Sequence, residues 1–251
     1  MTFGLFKLLL DGLWITIQLL VFSAALAVLI AFTAGLARLS RRRAVRFFAA
    51  VYVEFFRGTS ALVLMFWLFF ALPLLGWQLA PLWAGTLALS LSFGAYGSEV
   101  VRGAVLAVSP GQREAATALS FTPWQRLRLV VLPQAVPEML PTFSNQLVEL
   151  LKATSLASAV TIGDLTFQAQ SVRLATGESA QVYGLILGMY FVIAFTLTRG
   201  MRLLERRAKA NLGLGRLVTG PEAPLGSEPP TAPAGPPPLP EPTGHGQGGG
   251  I

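Results

Sequence analysis

Glu149 and Lys152 stand three residues apart within an apolar stretch, with Asn145, Thr154, Ser155 and Ser158 close by in the chain. On a helix that spacing puts acid and base on one face, where they neutralise one another. Charges inside a bilayer cost about 2.5–3.5 kcal/mol each by insertion scales, so both groups should face protein or water. Such a set can meet a zwitterion, with a cation for its carboxylate, an acid for its nitrogen and hydroxyls as secondary contacts. The same pair can instead be a structural ion pair holding two subunits together, and the residues alone leave both readings open. Glu99 with Arg102 and Glu54 with Arg57 repeat the spacing at the ends of apolar stretches, where they read as anchors.

The remaining chemistry is sparse. There is no Cys, and the single His245 lies in a Pro/Gly-rich stretch, so thiolate metal sites and disulfides are excluded and a catalytic cluster has no material. The carboxylates lack paired partners at a catalytic spacing. A phosphate loop needs Gly-Lys followed by Ser or Thr, and none of Lys7, Lys152 and Lys209 follows a Gly. The net charge of +7 does not mark a nucleic-acid surface, because the arginines flank apolar stretches instead of forming one basic face.

The elements that must position these groups are set by hydropathy. Of 251 residues 53% are hydrophobic and 12% charged, and the mean hydropathy is +0.61; soluble domains carry about 25% charged residues. The composition is that of an all-α integral membrane protein, whose spans need about 20 mainly apolar residues each. Five spans are expected, at about 13–39, 60–76, 82–101, 143–162 and 182–198. The basic run Arg41, Arg42, Arg43 and Arg46 follows the first, Arg102, Arg113, Arg126 and Arg128 follow the third, and Arg199 to Lys209 follow the fifth. Positive flanks stay cytoplasmic, which places the N-terminus outside. The order of charge and apolar core also argues against a cleaved signal peptide. Residues 1–217 are thus expected to form the membrane domain, and 218–251, rich in Pro and Gly, a disordered cytoplasmic tail.

Between spans three and four, residues 109–133 form a charged cytoplasmic segment. Ser109 and Pro110 can start a helix, Ser120 to Pro123 interrupt it, and a second helical stretch should stop before Pro133. Ala115, Ala116 and Leu119 give the first helix a small, smooth side suited to docking, with Glu114 near its start. The alternative is an amphipathic helix resting on the bilayer, with Trp124, Leu127 and Val131 down and Arg126 and Arg128 toward lipid phosphates.

Glu-Ala-Ala at 114–116, a small residue at 120, an aliphatic at 130 and Leu132-Pro133 resemble the cytoplasmic signature of permease subunits of ATP-binding-cassette importers. The chain departs from that pattern at Ser120, where Gly is usual, and at Val130, where Ile is common. YVEFFRGTS at 52–60, GAYGSEVVRG at 94–103 and ELLKATSLAS at 149–158 extend the likeness to the polar amino acid branch. FFRGTSALV, FALPLLG and DLTFQAQ are most similar to subunits for ectoine and hydroxyectoine uptake.

The resemblance implies coupling helices that sit in a groove of a separate ATPase subunit, with Glu114, Ala115, Ala116 and Ser120 in contact and Leu132 and Pro133 fixing the return into the membrane. It implies an inner-membrane transport subunit that is not an enzyme. The implied partners are an ATPase pair holding ATP and Mg, a second permease chain, the same or related, and an extracytoplasmic solute-binding protein. No cofactor is expected on this chain. Asn145, Glu149, Lys152, Thr154 and Ser155 are the expected pathway residues. The competing class is an ATP-independent transporter or channel, which paired interrupted spans in two halves would favour.

Overall fold

The computed structural model describes residues 3–211, which lie within one compact unit, Met1–Gly215; a second unit, Arg216–Ile251, and with it the expected tail, lies outside the described residues. Helices follow in the order α1 (Phe3–Ala37), α2 (Arg43–Gly58), α3 (Ala61–Phe66), α4 (Pro81–Ala107), α5 (Pro110–Ala118), α6 (Pro123–Arg126), α7 (Leu132–Thr154), α8 (Leu165–Thr176) and α9 (Ser179–Asn211). No strand occurs among the described residues.

Helices α1 and α9 are long and apolar enough to cross a membrane, over Gly4–Ala37 and Ser179–Ala210, and the α2/α3 pair would add a third span if its 100° bend lay within one crossing. Helices α4 and α7, with 27 and 23 residues, have the length of a span, although polar residues dilute their hydropathy. Helix α2 is amphipathic, and Phe47, Phe48 and Phe55 are exposed along it.

The central pairing is α1 against α4, and it is built from small residues. A Cβ on Gly35 would lie 2.7 Å from the Ser98 carbonyl, and one on Gly94 would lie 2.7 Å from the Ile30 side chain, so α1 and α4 already fill the space a larger residue would need. Without water to drive association inside lipid, such close van der Waals packing is what joins helices. Leu19, Met65, Leu89, Leu151 and Val160 bury together around this pair. A second cluster, Ala31, Val101, Val105, Val131 and Met139, seats the start of α7 on α4, and a third, Leu9, Leu165, Val172 and Val182, seats α8 between α1 and α9.

Two π turns break the helices, Trp67–Ala71 after α3 and Leu127–Val131 after α6. Each ends two residues before a proline, Pro73 or Pro133, whose missing N–H and ring clash with the carbonyl four residues back favour a widened turn. The Leu132 amide donates to the Leu127 carbonyl. The chain therefore runs through Pro133 into α7, and the expected stop before that proline does not occur.

The fourth apolar segment also differs from the expected 143–162. Its α-helix begins at Leu132 and ends at Thr154, and Ser155–Val160 tightens into a 3₁₀ turn. Thr154, Ser155 and Ser158 each donate a side-chain hydrogen bond to the carbonyl three residues back, at 2.6, 2.7 and 2.8 Å. These local bonds compete with the α-helical ladder. Thr161 then closes the turn at φ 59°, a conformation that a β-branched residue rarely adopts.

Candidate functional site

Residues 109–133 fold as two helices held on a corner. Helix α5 begins at Pro110, but Ser109 makes no side-chain cap there, contrary to the expected role; only its carbonyl accepts, from the Gln112 amide at 3.2 Å. The C-terminal end closes through paired bonds, Phe121 N–H to the Ala116 carbonyl at 3.1 Å and Ser120 N–H to the Thr117 carbonyl at 2.9 Å. That pattern is the Schellman motif, with Ser120 at the left-handed position, φ 59°, where Gly is usual. Thr122 then opens α6 with a capping box shared with Gln125, and Pro123 occupies the first helical position.

Side chains fasten this corner to the membrane helices. The Arg113 guanidinium donates to the Val105 carbonyl of α4, and Arg126 Nη1 donates to Thr117 Oγ1 at 2.9 Å. Glu114, Ala115 and Leu119 are exposed, whereas Ala116 is only 2% exposed and points into the protein. The smooth outer face expected from Ala115, Ala116 and Leu119 therefore lacks Ala116, whose small side chain serves internal packing. Ser120 and Pro133 are exposed and Leu132 is half-buried.

The surface-lying alternative also changes. Val131 is buried with Leu127 against Val101, Val105 and Met139, while Trp124 is 62% exposed. The π turn shifts the phase, so the three do not share one lipid-facing side.

On α7, Asn145, Glu149 and Lys152 follow one another at four and three residues and all are exposed, which places them on one helical face. Lys152 Nζ and Glu149 Oε1 lie 2.7 Å apart, with side chains 65% and 61% exposed. Thr154, expected beside them, is fully buried and bonded to the Leu151 carbonyl, so it does not join that face. Lys152 and Ser155 line a cavity of about 510 Å³ between α7 and α9, walled by Tyr183, Tyr190 and Phe191.

Glu99 bridges two cations, Arg38 at the end of α1 and Arg102 at 2.8 Å on α4. Glu54 faces Arg38 at 3.9 Å instead of Arg57. Arg57 instead lies over the Tyr96 ring, 5.6 Å from its centre, and its carbonyl accepts from the Tyr96 hydroxyl at 3.1 Å. The α2 anchor expected between Glu54 and Arg57 is thus a bridge from α2 to α1 and α4.

Sequence reasoning missed the buried Asp164, which caps α8 by accepting from the Thr166 and Phe167 amides, each at 3.1 Å. Thr16 of α1 accepts from the Leu165 amide at 3.0 Å, and the Thr166 and Tyr190 hydroxyls lie 3.2 Å apart. Asp164 before an apolar-periodic run is a recognisable N-cap signal with local partners, but the Thr16 hydroxyl that meets the neighbouring Leu165 amide comes from 149 residues away in the chain.

Long apolar helices, a braced corner of two short helices and an exposed polar face on α7 fit a helical membrane transport subunit. The family of binding-protein-dependent transport system inner membrane components matches residues 5–210, and the chain belongs to it. It is 50% identical over 200 residues to the "Probable amino-acid ABC transporter permease protein y4tF" of Sinorhizobium fredii, covering 77% of this chain and 84% of that one. It is 33% identical over 204 residues to the glutamine transport system permease protein GlnP of Escherichia coli, covering 80% and 93%. Among solved structures, an amino acid ABC transporter crystallised with histidines matches with a TM-score of 0.74 at 32% identity, over 80% of this chain and 94% of the other. The inward-facing MetNI methionine transporter shares the fold, with a TM-score of 0.71 at 22% identity over 83% and 99%.

Proposed function

We propose that this chain is the permease subunit of an ATP-driven importer for a polar amino acid or related zwitterion, with five spans and its N-terminus outside. The family match over residues 5–210 carries the reading. The names of similar proteins, which specify an amino acid, glutamine and L-cystine, support the solute class. ATP and Mg belong on a separate ATPase pair, and a second permease chain and a solute-binding protein complete the assembly. Helix α5 is the contact for the ATPase, through Glu114, Ala115 and the Ser120 corner, and Leu132 and Pro133 carry its movement into α7. Movement there switches the pathway between inward and outward access.

Asn145, Glu149, Lys152 and Ser155 line the solute pathway in this reading, because an exposed ion pair on a spanning helix needs water or a polar solute beside it. Ectoine and hydroxyectoine, singled out by the FFRGTSALV and DLTFQAQ stretches, are the narrower candidates and carry the same pairing of carboxylate and cationic nitrogen. The test is ATP hydrolysis by the purified assembly in lipid, with and without binding protein and solute, comparing wild type with Glu114→Lys. Stimulated turnover in wild type, lost in the variant along with copurification of the ATPase subunit, is the expected result. Unchanged turnover and copurification would remove α5 from the coupling role.

A further inference from the structure

A cavity of about 940 Å³ opens between the end of α1, the start of α2 and the α5/α6 corner. Arg41, Arg113 and Arg126 stand in its wall, Trp124 is at its edge, and Leu36 and Leu127 are among its apolar lining. No carboxylate lines it, and among the described residues none of the three arginines has an ion-pair partner. Arg113 Nε is buried without a hydrogen-bond partner. A buried guanidinium N–H left unpaired beside two further cations calls for an anion.

The position narrows which anion. The cavity begins where the α1 span ends at Ala37, and the exposed phenylalanines of amphipathic α2 mark the adjoining bilayer boundary. Trp124 has the amphipathic ring that suits this level. The largely aliphatic lining would suit acyl chain, while the guanidiniums match phosphate oxygens in paired, planar fashion. A free phosphate would satisfy the cations and leave the apolar wall uncovered.

We propose that this cavity binds the headgroup of an anionic phospholipid, fixing a lipid against the coupling corner from the cytoplasmic leaflet. The site rests on the inner-membrane location and on the proposed orientation with the α5/α6 corner cytoplasmic, and does not depend on the solute carried.

The test uses the full chain copurified with its ATPase subunit, delipidated in neutral detergent and titrated with phosphatidylglycerol or phosphatidylcholine, with bound lipid read by native mass spectrometry. Wild type should retain phosphatidylglycerol over phosphatidylcholine. The Arg41→Gln/Arg126→Gln variant should lose about thirty-fold in that affinity, taking ~1 kcal/mol for each arginine near a lipid surface. Arg202→Gln/Arg206→Gln, which removes the same charge from α9, should lose none. If the double variant does not assemble, Arg41→Gln alone is read, with about a five-fold loss expected on the same scale. The proposal is overturned by equal retention of the two lipids, by an equal loss in the α9 control, or by inorganic phosphate displacing phosphatidylglycerol at matched concentration. It is also overturned if adding excess ATPase subunit expels the lipid, because that protein would then be the occupant.

Discussion

Arg126 reaches across the corner between α5 and α6 to donate a 2.9 Å hydrogen bond to Thr117 Oγ1, and Thr117 donates its own hydroxyl proton to the Arg113 carbonyl at 2.8 Å. The two short helices are therefore tied to each other by side chains as well as by the backbone turn at Ser120. A segment of nine residues and another of four would not hold their shape alone.

Ser120→Gly should stabilise that corner. Serine at φ 59° is strained by its Cβ, by about 1–2 kcal/mol, and glycine returns part of the gain as backbone entropy. The expected outcome is a melting temperature raised by roughly 2 °C in detergent, with Ser120→Val lowered. A lower value for the glycine variant would contradict the left-handed assignment.

Reversing the ion pair on α7 separates its two readings. Glu149→Lys/Lys152→Glu keeps the attraction and the exposed placement, so the protein should fold and retain its ATPase subunit. Uptake of radiolabelled solute into proteoliposomes should fall at least tenfold, an order-of-magnitude loss for a pair that meets solute directly. Full uptake by the reversed pair would make it a structural clasp.

Asp164→Ala removes the oxygens that accept from two α8 amides in a buried site, and should destabilise the protein by about 1–2 kcal/mol. Asp164→Asn retains a capping oxygen and should lose less. Hydrogen exchange at the Thr166 and Phe167 amides is the readout, with faster exchange in the alanine variant; unchanged exchange would show that the cap is dispensable.

Gly35→Val should disrupt the α1/α4 seam, because its Cβ would fall 2.7 Å from the Ser98 carbonyl, a backbone atom that cannot swing aside. A loss of about 1–3 kcal/mol is expected, seen as a smaller monodisperse fraction on size exclusion. Gly103→Ala, on the partner helix α4 but with open space around it, should behave as wild type.

Much of this architecture could be read in the chain because apolar length and arginine flanks act locally. The α1 and α9 helices, the break at Ser120–Thr122 and the Glu149–Lys152 pair each depend on neighbours within a few residues. Helix α2 escaped because its aromatic face reads as part of a loop until the 100° bend before α3 is known. Helix α8 escaped because twelve residues of modest hydropathy gain their burial from α1 and α9. Nor does sequence spacing show that Glu54 turns to Arg38, since Arg57 is nearer in the chain and lies over Tyr96 only in three dimensions.

The seam between α1 and α4 has no side chain on one of its two sides where Gly35 and Gly94 sit. Sliding or tilting one helix on the other would find only the Ser98 carbonyl and the stiff, β-branched Val101 and Ile30 side chains, already at contact distance. The two helices behave mechanically as a single stiff beam, and whatever bending the subunit undergoes must be taken up in the widened turns and short joints around them.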